Sequence, residues 1–343
     1  MTIDATEALF GRMLDGAMSD ADIADMLITM ADRGETAEEI AGAAQAMRAR
    51  MIRISAPTNA IDVCGTGGDG QHSLNVSTAV AIVVAACEVP VAKHGNRAAS
   101  SLAGGADTLE ALGLNLDRAS ETAEATLADL GICFLFAQKH HPALSRIAPI
   151  RKALGRRTIF NLLGPLCNPA GVTRQLIGVA NHTLIETYVE AMALVGTERA
   201  MIVTGDEGLD EISIENGSTL YQISDGSAPM FLSRDKFATI SMHTERTYRQ
   251  SMHITHQFKP EYVGMQSCRP GSIKGGDAAY NAAALRRLFD GEMGCYRDAV
   301  LLNASAALIV AKHVPDWREG IEDATEAIDR GLAKALLDCW IAY

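Results

Sequence analysis

Apolar residues recur at every third or fourth position through residues 3–53. "DATEALFGRML", "SDADIADMLITMADRG" and "TAEEIAGAAQAMRARM" all carry this spacing, which predicts three short amphipathic helices. Ser19 and Thr36 stand where N-caps belong, and Gly34 stands where a helix stops. The period changes near Ala60. "AIDVCG" is short, apolar and β-branched, and it predicts a strand running straight into glycines. A helix follows from Ser77 to Cys87, then a strand in "VPVAKHG", helices in "GGADTLEALG" and "SETAEATLADLG", and a strand in "ICFLFA". "HPALSRIAPIRKALG" predicts a helix with a break at Pro149, and the segment after it reads as loop. "RQLIGVA", "TLIETYVEAMALVG" and "RAMIVTG" give strand, helix and strand. Between 219 and 258, short alternating runs predict antiparallel additions, with Tyr248, Met252, Ile254 and Phe258 on alternate sites of one strand; 277–343 returns to helices. Strands alternating with helices predict an α/β protein with a mostly parallel central sheet covered on both faces, preceded by a small all-helical part.

Composition narrows the class. Among 343 residues, 48% are hydrophobic, enough for a sizeable core. The formal charge of −12 argues against a nucleic-acid partner, which usually selects a basic face. It leaves an anionic substrate open, because a few cations and backbone N–H groups can hold a phosphate. Asp4 and Glu7 near the start are unlike a secretion signal, and the run Ala79 to Cys87 is far shorter than the roughly 20 residues that cross a bilayer. The seven cysteines, Cys64, Cys87, Cys133, Cys167, Cys268, Cys295 and Cys339, are odd in number and form no CxxC, so free thiols in a reducing cytoplasm are expected.

The stretch "DVCGTGGDGQHSLNVST" carries the chemistry. A strand that ends in glycines and opens onto a helix is an anion cradle: glycine permits positive φ and close approach, and the helix start adds N–H groups. Gly65, Gly67 and Gly70 satisfy GxGxxG, yet the acidic residue near the required place, Glu88, follows a helix instead of ending a second strand. The Gly-Lys-Ser/Thr of a Walker loop is absent. Asp69 inside the loop suits a ribose hydroxyl or a metal-bound phosphate better than a bare phosphate. Ser73, Asn75, Ser77 and Thr78 add neutral donors, and a hydroxyl can ligate Mg²⁺. "KHGNRAASS" places Lys93, His94, Asn96, Arg97, Ser100 and Ser101 at the end of the next strand. "GDEGLDEIS" follows "RAMIVT" and holds Asp206, Glu207, Asp210 and Glu211, a set suited to Mg²⁺, which takes one or two carboxylates plus phosphate oxygens and waters.

"GTGGDG", "NVST", "KHGNR", "RRTIFNLLGPLCNP" and "GLDE", in this order and spacing, closely resemble the anthranilate phosphoribosyltransferase family, and the likeness runs from the helical N-terminus to "RDAVLLNASAAL". The resemblance implies a cytoplasmic homodimer with the fold shared by pyrimidine nucleoside phosphorylases. Its helical domain would take residues 1–60 with a segment near 156–176, and its α/β domain residues 61–155 and 177–343. It implies transfer of the phosphoribosyl group of phosphoribosyl pyrophosphate to anthranilate, giving N-(5-phosphoribosyl)anthranilate and pyrophosphate, the second step of tryptophan biosynthesis from chorismate. Gly65, Gly68, Asp69 and Ser73 would contact the donor. Asn75, Val76, Ser77 and Thr78 would hold its pyrophosphate, with Ser77 on a magnesium ion. Lys93, His94, Gly95, Asn96, Arg97, Ala98, Ala99, Ser100 and Ser101 would wrap the phosphates, and Gly105 stands where the family usually has a donor-contacting serine. Asn96 and Arg151 would contact anthranilate, and Asp210 with Glu211 would hold a second magnesium ion, making two per subunit. No nucleophile or acid–base catalyst is assigned, because this chemistry rests on positioning and electrostatics.

Three features depart from the family. Ala98, Ala99 and Leu102 replace larger or polar residues in the basic loop, Gly105 lacks the serine hydroxyl, and the segment from Thr219 to Phe258 is longer than usual and carries His243, His253 and His256, expected on a surface hairpin. A nucleoside phosphorylase should lack "KHGNR" and "GLDE". A nucleic-acid-binding relative should be basic and should have lost the magnesium carboxylates.

Overall fold

The computed structural model describes residues 1–98, 101–224, 245–248 and 251–343, with the backbone alone for 245–248 and 251–256. The chain opens with α1 (Ile3–Leu14), α2 (Asp20–Arg33) and α3 (Ala37–Arg48). Ser19 caps α2 by accepting from Asp22 N, and Thr36 and Glu39 form a reciprocal capping box on α3. Gly34 ends α2 at φ 82°.

The α/β part begins with β1 (Ile61–Gly65), α4 (Val76–Ala86) and β2 (Val91–Gly95). It continues through α5 (Gly105–Leu112), α6 (Leu116–Glu121), α7 (Ala123–Leu130), β3 (Ile132–Phe136) and α8 (Ala137–His140). Next come α9 (Ile147–Leu154), α10 (Phe160–Leu166), β4 (Arg174–Gly178), α11 (Ile185–Leu194) and β5 (Arg199–Gly205). β6 (Ser218–Ser224), β7 (Glu245–Tyr248) and β8 (Ser251–Phe258) complete the strands. The helices α12 (Ala278–Phe289), α13 (Cys295–Val310), α14 (Trp317–Asp329) and α15 (Leu332–Ala342) close the chain.

Among the described residues the sheet order is β3-β2-β1-β4-β5-β6-β8-β7. The five strands from β3 to β5 run parallel, and β6, β8 and β7 are antiparallel. Strand side chains alternate between two cores, as a period of two requires. Val63, Leu176, Met201 and Val203 face α4 and the C-terminal helices. Cys64, Ile177, Ala200 and Ile202 face α1–α3 and α9–α11. α9 and α10 therefore pack with the N-terminal helices although the α/β part precedes them in sequence.

Four sequence expectations change. Pro149 does not break the helix: it lies in the first turn of α9, where its missing N–H has no intrahelical role, and the interruption falls earlier, around Arg146. The segment after α9, expected to be loop, contains α10, with Pro165 near its end. Tyr248 does not share a strand with Met252, Ile254 and Phe258; it ends β7, across from Ser251 of β8. Cys268 and Cys295 are joined in a disulfide, while Cys64, Cys87, Cys133, Cys167 and Cys339 remain free thiols. His243 and the side chains of His253 and His256 lie outside the described residues.

Candidate active-site cleft

The C-terminal ends of β1, β2 and β5, the start of α4 and the wall formed by α9 and α10 enclose a cleft of about 370 Å³. At its glycine end, Gly67, Gly68 and Gly70 take φ of 67°, 77° and 69°, a region that favours glycine. A Cβ at any of the three would meet open space, so backbone conformation rather than crowding requires glycine there. Gly65 and Gly178 have the opposite reason. A Cβ on Gly65 would strike the Asp210 carboxylate, and one on Gly178 would overlap the Asp210 backbone. Two parallel strands thus end in glycine where the acidic loop crosses them.

The acidic pair is fastened to the glycine loop. Gly67 N donates to Asp210 Oδ2 at 2.8 Å, and Ser77 N donates to Glu211 Oε1 at 3.0 Å. Asn303 of α13 grips the next residue, accepting from Ile212 N at 2.9 Å and donating to Ile212 O at 3.0 Å. Burial raises both carboxyl pKa values; the Asp69 charge adds to the shift at Asp210, and Asp210 adds to that at Glu211. Lys93 stands opposite, with Nζ donating to Val63 O at 2.7 Å and to Ser77 Oγ at 3.3 Å. Burial lowers its pKa, against the pull of Asp62. Asp62, fully buried, accepts from His94 N at 3.2 Å and from Asn168 Nδ2 at 2.8 Å. Among the described residues no three His, Cys, Asp or Glu side chains converge on one point. The Asp210 and Glu211 carboxylates, and separately the Ser77 hydroxyl, fit ions that complete their shells with phosphate and water, as Mg²⁺ does.

The opposite end is built around His94 and Arg151. His94 Nδ1 lies 2.9 Å from Gly164 O, which assigns the proton to Nδ1 and leaves Nε2 buried without a partner. Burial first, then the neighbouring His141, lowers its pKa to about 3, so the ring is neutral. His141 packs on it at 5.1 Å between centroids. Arg151 lies over the Phe160 ring at 5.2 Å and reaches Asn161 Oδ1 only at 3.5 Å. No carboxylate pairs with it among the described residues.

Most residues picked from the sequence line this one cleft: Gly65, Gly68, Asp69, Ser73, Asn75, Val76, Ser77, Lys93, His94, Gly95, Asn96, Arg97, Ala98, Ser101, Gly105, Arg151, Asp210 and Glu211. Ala99 and Ser100 lie outside the described residues. Thr78 sits just behind, with Oγ1 buried and unpartnered. Arg97 turns toward α5, pairing with Asp107 at 2.9 Å and Glu110 at 2.8 Å, so these acids already balance its charge. Sequence reasoning missed His141, Phe160, Asn161, Gly164 and Pro165, which form the far wall. The motif "FNLLGPL" was a signal for the last four.

Residues 1–51 match the glycosyl transferase family helical bundle domain, and residues 57–249 and 231–334 match the a/b domain of the same family. The anthranilate phosphoribosyltransferase of Novosphingobium aromaticivorans is 60% identical over 336 residues, covering 98% of this chain and 94% of that protein. This chain belongs to the anthranilate phosphoribosyltransferase family. The crystal structure of the Thermus thermophilus family member matches with a TM-score of 0.85 at 36% identity, covering 100% of this chain and 95% of that one. The Saccharomyces cerevisiae member, solved in complex with PRPP and Mg, matches with a TM-score of 0.82 at 26% identity, covering 99% and 92%.

Proposed function

We propose that this chain transfers the phosphoribosyl group of phosphoribosyl pyrophosphate to anthranilate, releasing pyrophosphate. One observation carries the reading beyond family membership. A single cleft joins a glycine cradle with a buried lysine and two carboxylates at one end to an unpaired guanidinium beside aromatic rings at the other. The first end suits a polyphosphate, the second an aryl carboxylate.

Mg²⁺, one ion on Ser77 and a second on Asp210 and Glu211, would supply positive charge against the leaving pyrophosphate. The chain's own groups do the rest. Lys93, fixed by Val63 O and Ser77 Oγ, faces the same phosphates with its charge. Gly68 and Asp69 hold the ribosyl phosphate region, and Asn96 and Arg151 orient anthranilate so that its amine meets the anomeric carbon. His94 stays neutral beside His141 at the acceptor end. Two magnesium ions per subunit, a cytoplasmic location, a homodimer, and a domain division at residue 60 with 156–176 joining the helical part complete the proposal. Following loss of anthranilate fluorescence with phosphoribosyl pyrophosphate and Mg²⁺ tests it: the signal should fall only when both are present. A signal unchanged under those conditions would overturn it.

A further inference from the structure

Asn75 precedes the first residue of α4, where an asparagine normally accepts from its own helix, yet its side chain makes no cap bond. It is engaged elsewhere. Its Oδ1 accepts from Thr108 Oγ1 at 2.5 Å and from Asn281 Nδ2 at 2.9 Å, and its Nδ2 donates to Ala103 O at 3.3 Å. Its backbone carbonyl accepts from the Tyr296 hydroxyl at 3.2 Å. Asn281, in α12, is 2% exposed and lies 206 residues along the chain. Its other amide end is also occupied, since Oδ1 accepts from Gly276 N at 2.8 Å. The backbone just before Asn75 is zipped to the same segment: Gly275 N donates to His72 O at 2.7 Å and Leu74 N to Ile273 O at 2.8 Å. One amide thus fixes both the strap at 273–276 and the residue that starts α4.

We infer that Asn281 is a positioning residue for the phosphate end of the cleft. It does not line the cleft and acts through Asn75, holding the start of α4 so that Ser77 and Thr78 stay in register with the glycine loop. A buried amide with both ends bonded to different segments has one orientation, and removing it leaves Asn75 Oδ1 and Gly276 N short of partners. The inference rests on the phosphoribosyl-transfer reading. A residue that merely stabilised α12 would lower the melting temperature without separating the two substrates.

Steady-state kinetics with both substrates varied test this. Asn281→Ala should raise the Michaelis constant for phosphoribosyl pyrophosphate about tenfold and leave that for anthranilate within about twofold. Asn281→Asp keeps the volume and the acceptor for Gly276 N but lacks the N–H, and it should show the same split. Asn75→Ala combined with Asn281→Ala should be no worse than the poorer single variant, because the two act as a unit. In the wild type, phosphoribosyl pyrophosphate with Mg²⁺ should protect amides at 273–281 from hydrogen exchange, whereas anthranilate alone should not. Equal rises in both constants, additive effects in the double variant, or protection confined to 65–78 would overturn the inference. Wild-type protein that makes no product would overturn the proposed function instead.

Discussion

At the glycine end of the cleft the Asp210 and Glu211 carboxylates, the Lys93 ammonium and the Asn75 amide all have protein partners within 3.3 Å. At the Arg151 end, among the described residues, His94 Nε2 is buried with no hydrogen-bond partner, and Arg151 lies over the Phe160 ring with one side-chain hydrogen bond, at 3.5 Å. The charges of the first end are tied by hydrogen bonds to strand ends and helix starts. At the second end the Arg151 guanidinium is only weakly tied, and a ligand carboxylate would give it a partner. Fixed dipoles are the requirement for stabilising charge that develops on a leaving polyphosphate. A pocket for a flat aromatic acid needs shape and one cation.

The acidic pair carries the largest expected effect. Asp210→Asn with Glu211→Gln keeps acceptors for Gly67 N and Ser77 N but removes both ionisable groups. Activity should fall by about a hundredfold or more. The protein should stay folded, and higher Mg²⁺ should restore part of the rate. Magnesium titrations of the rate check this, and full activity with unchanged Mg²⁺ dependence would remove the pair from the site. Arg151→Ala comes next. Losing a guanidinium–carboxylate contact costs roughly 1.5–3 kcal/mol, so the Michaelis constant for anthranilate should rise about tenfold to over a hundredfold while that for the donor barely moves. Arg151→Lys should rescue only part, because the planar fork is gone. Equal effects on both constants would place Arg151 outside the acceptor site.

The same contrast explains what is legible in the sequence. The glycine loop, the basic loop and the acidic pair each follow a single strand, so residues that act together are neighbours in the chain. The mostly parallel sheet follows from strand–helix alternation, and the caps at Ser19 and Thr36 from residue type. The Arg151 wall is different. His141 follows α8, Arg151 belongs to α9, and Phe160 and Gly164 belong to α10, whose Gly164 and Pro165 read as loop in the sequence. The need for glycine at 178 exists only because Asp210 crosses β4 in space. Nor does the spacing of Cys268 and Cys295, 27 residues apart, signal a pair; they meet because the segment before α12 folds back on the start of α13.

His141 sharpens the contrast through pH. Burial, then the charge of His140, lowers its pKa to about 4, against a weaker opposing contribution from the Cys167 backbone. The unfolded ring titrates near 6.5, so the unfolded chain binds more protons between those values. Stability from this group is therefore full near neutrality and lost as pH falls from about 6.5 toward 4, by about 3 kcal/mol in the limit. His141→Leu removes that proton uptake. Urea midpoints at several pH values, with Mg²⁺ held constant, should drop less on acidification in the variant than in the wild type. Parallel curves would mean that His141 is hydrated and titrates normally.

Gly105 tests the glycine end with the smallest expected effect. It is the first residue of α5, and its φ lies outside the left-handed region, so serine is conformationally allowed. A Cβ there would sit 3.1 Å from Thr78 Oγ1 and 3.9 Å from Lys93 Cε. The first distance is tight by a few tenths of an ångström. Thr78 Oγ1 has no hydrogen bond to hold it, however, and a serine hydroxyl would give this buried oxygen its missing partner. Replacing glycine also lowers the entropy of the unfolded chain, worth about 0.4–1 kcal/mol where the backbone permits. Gly105→Ser should therefore raise the melting temperature by a few degrees, roughly as 1 kcal/mol does in a domain of this class. By fixing Thr78 just behind the phosphate end of the cleft it should lower the Michaelis constant for phosphoribosyl pyrophosphate about two- to fivefold, within what one neutral hydrogen bond contributes. The constant for anthranilate should not change. A lower melting temperature together with weaker donor binding would mean that Thr78 cannot yield, and that the loop has closed around the glycine.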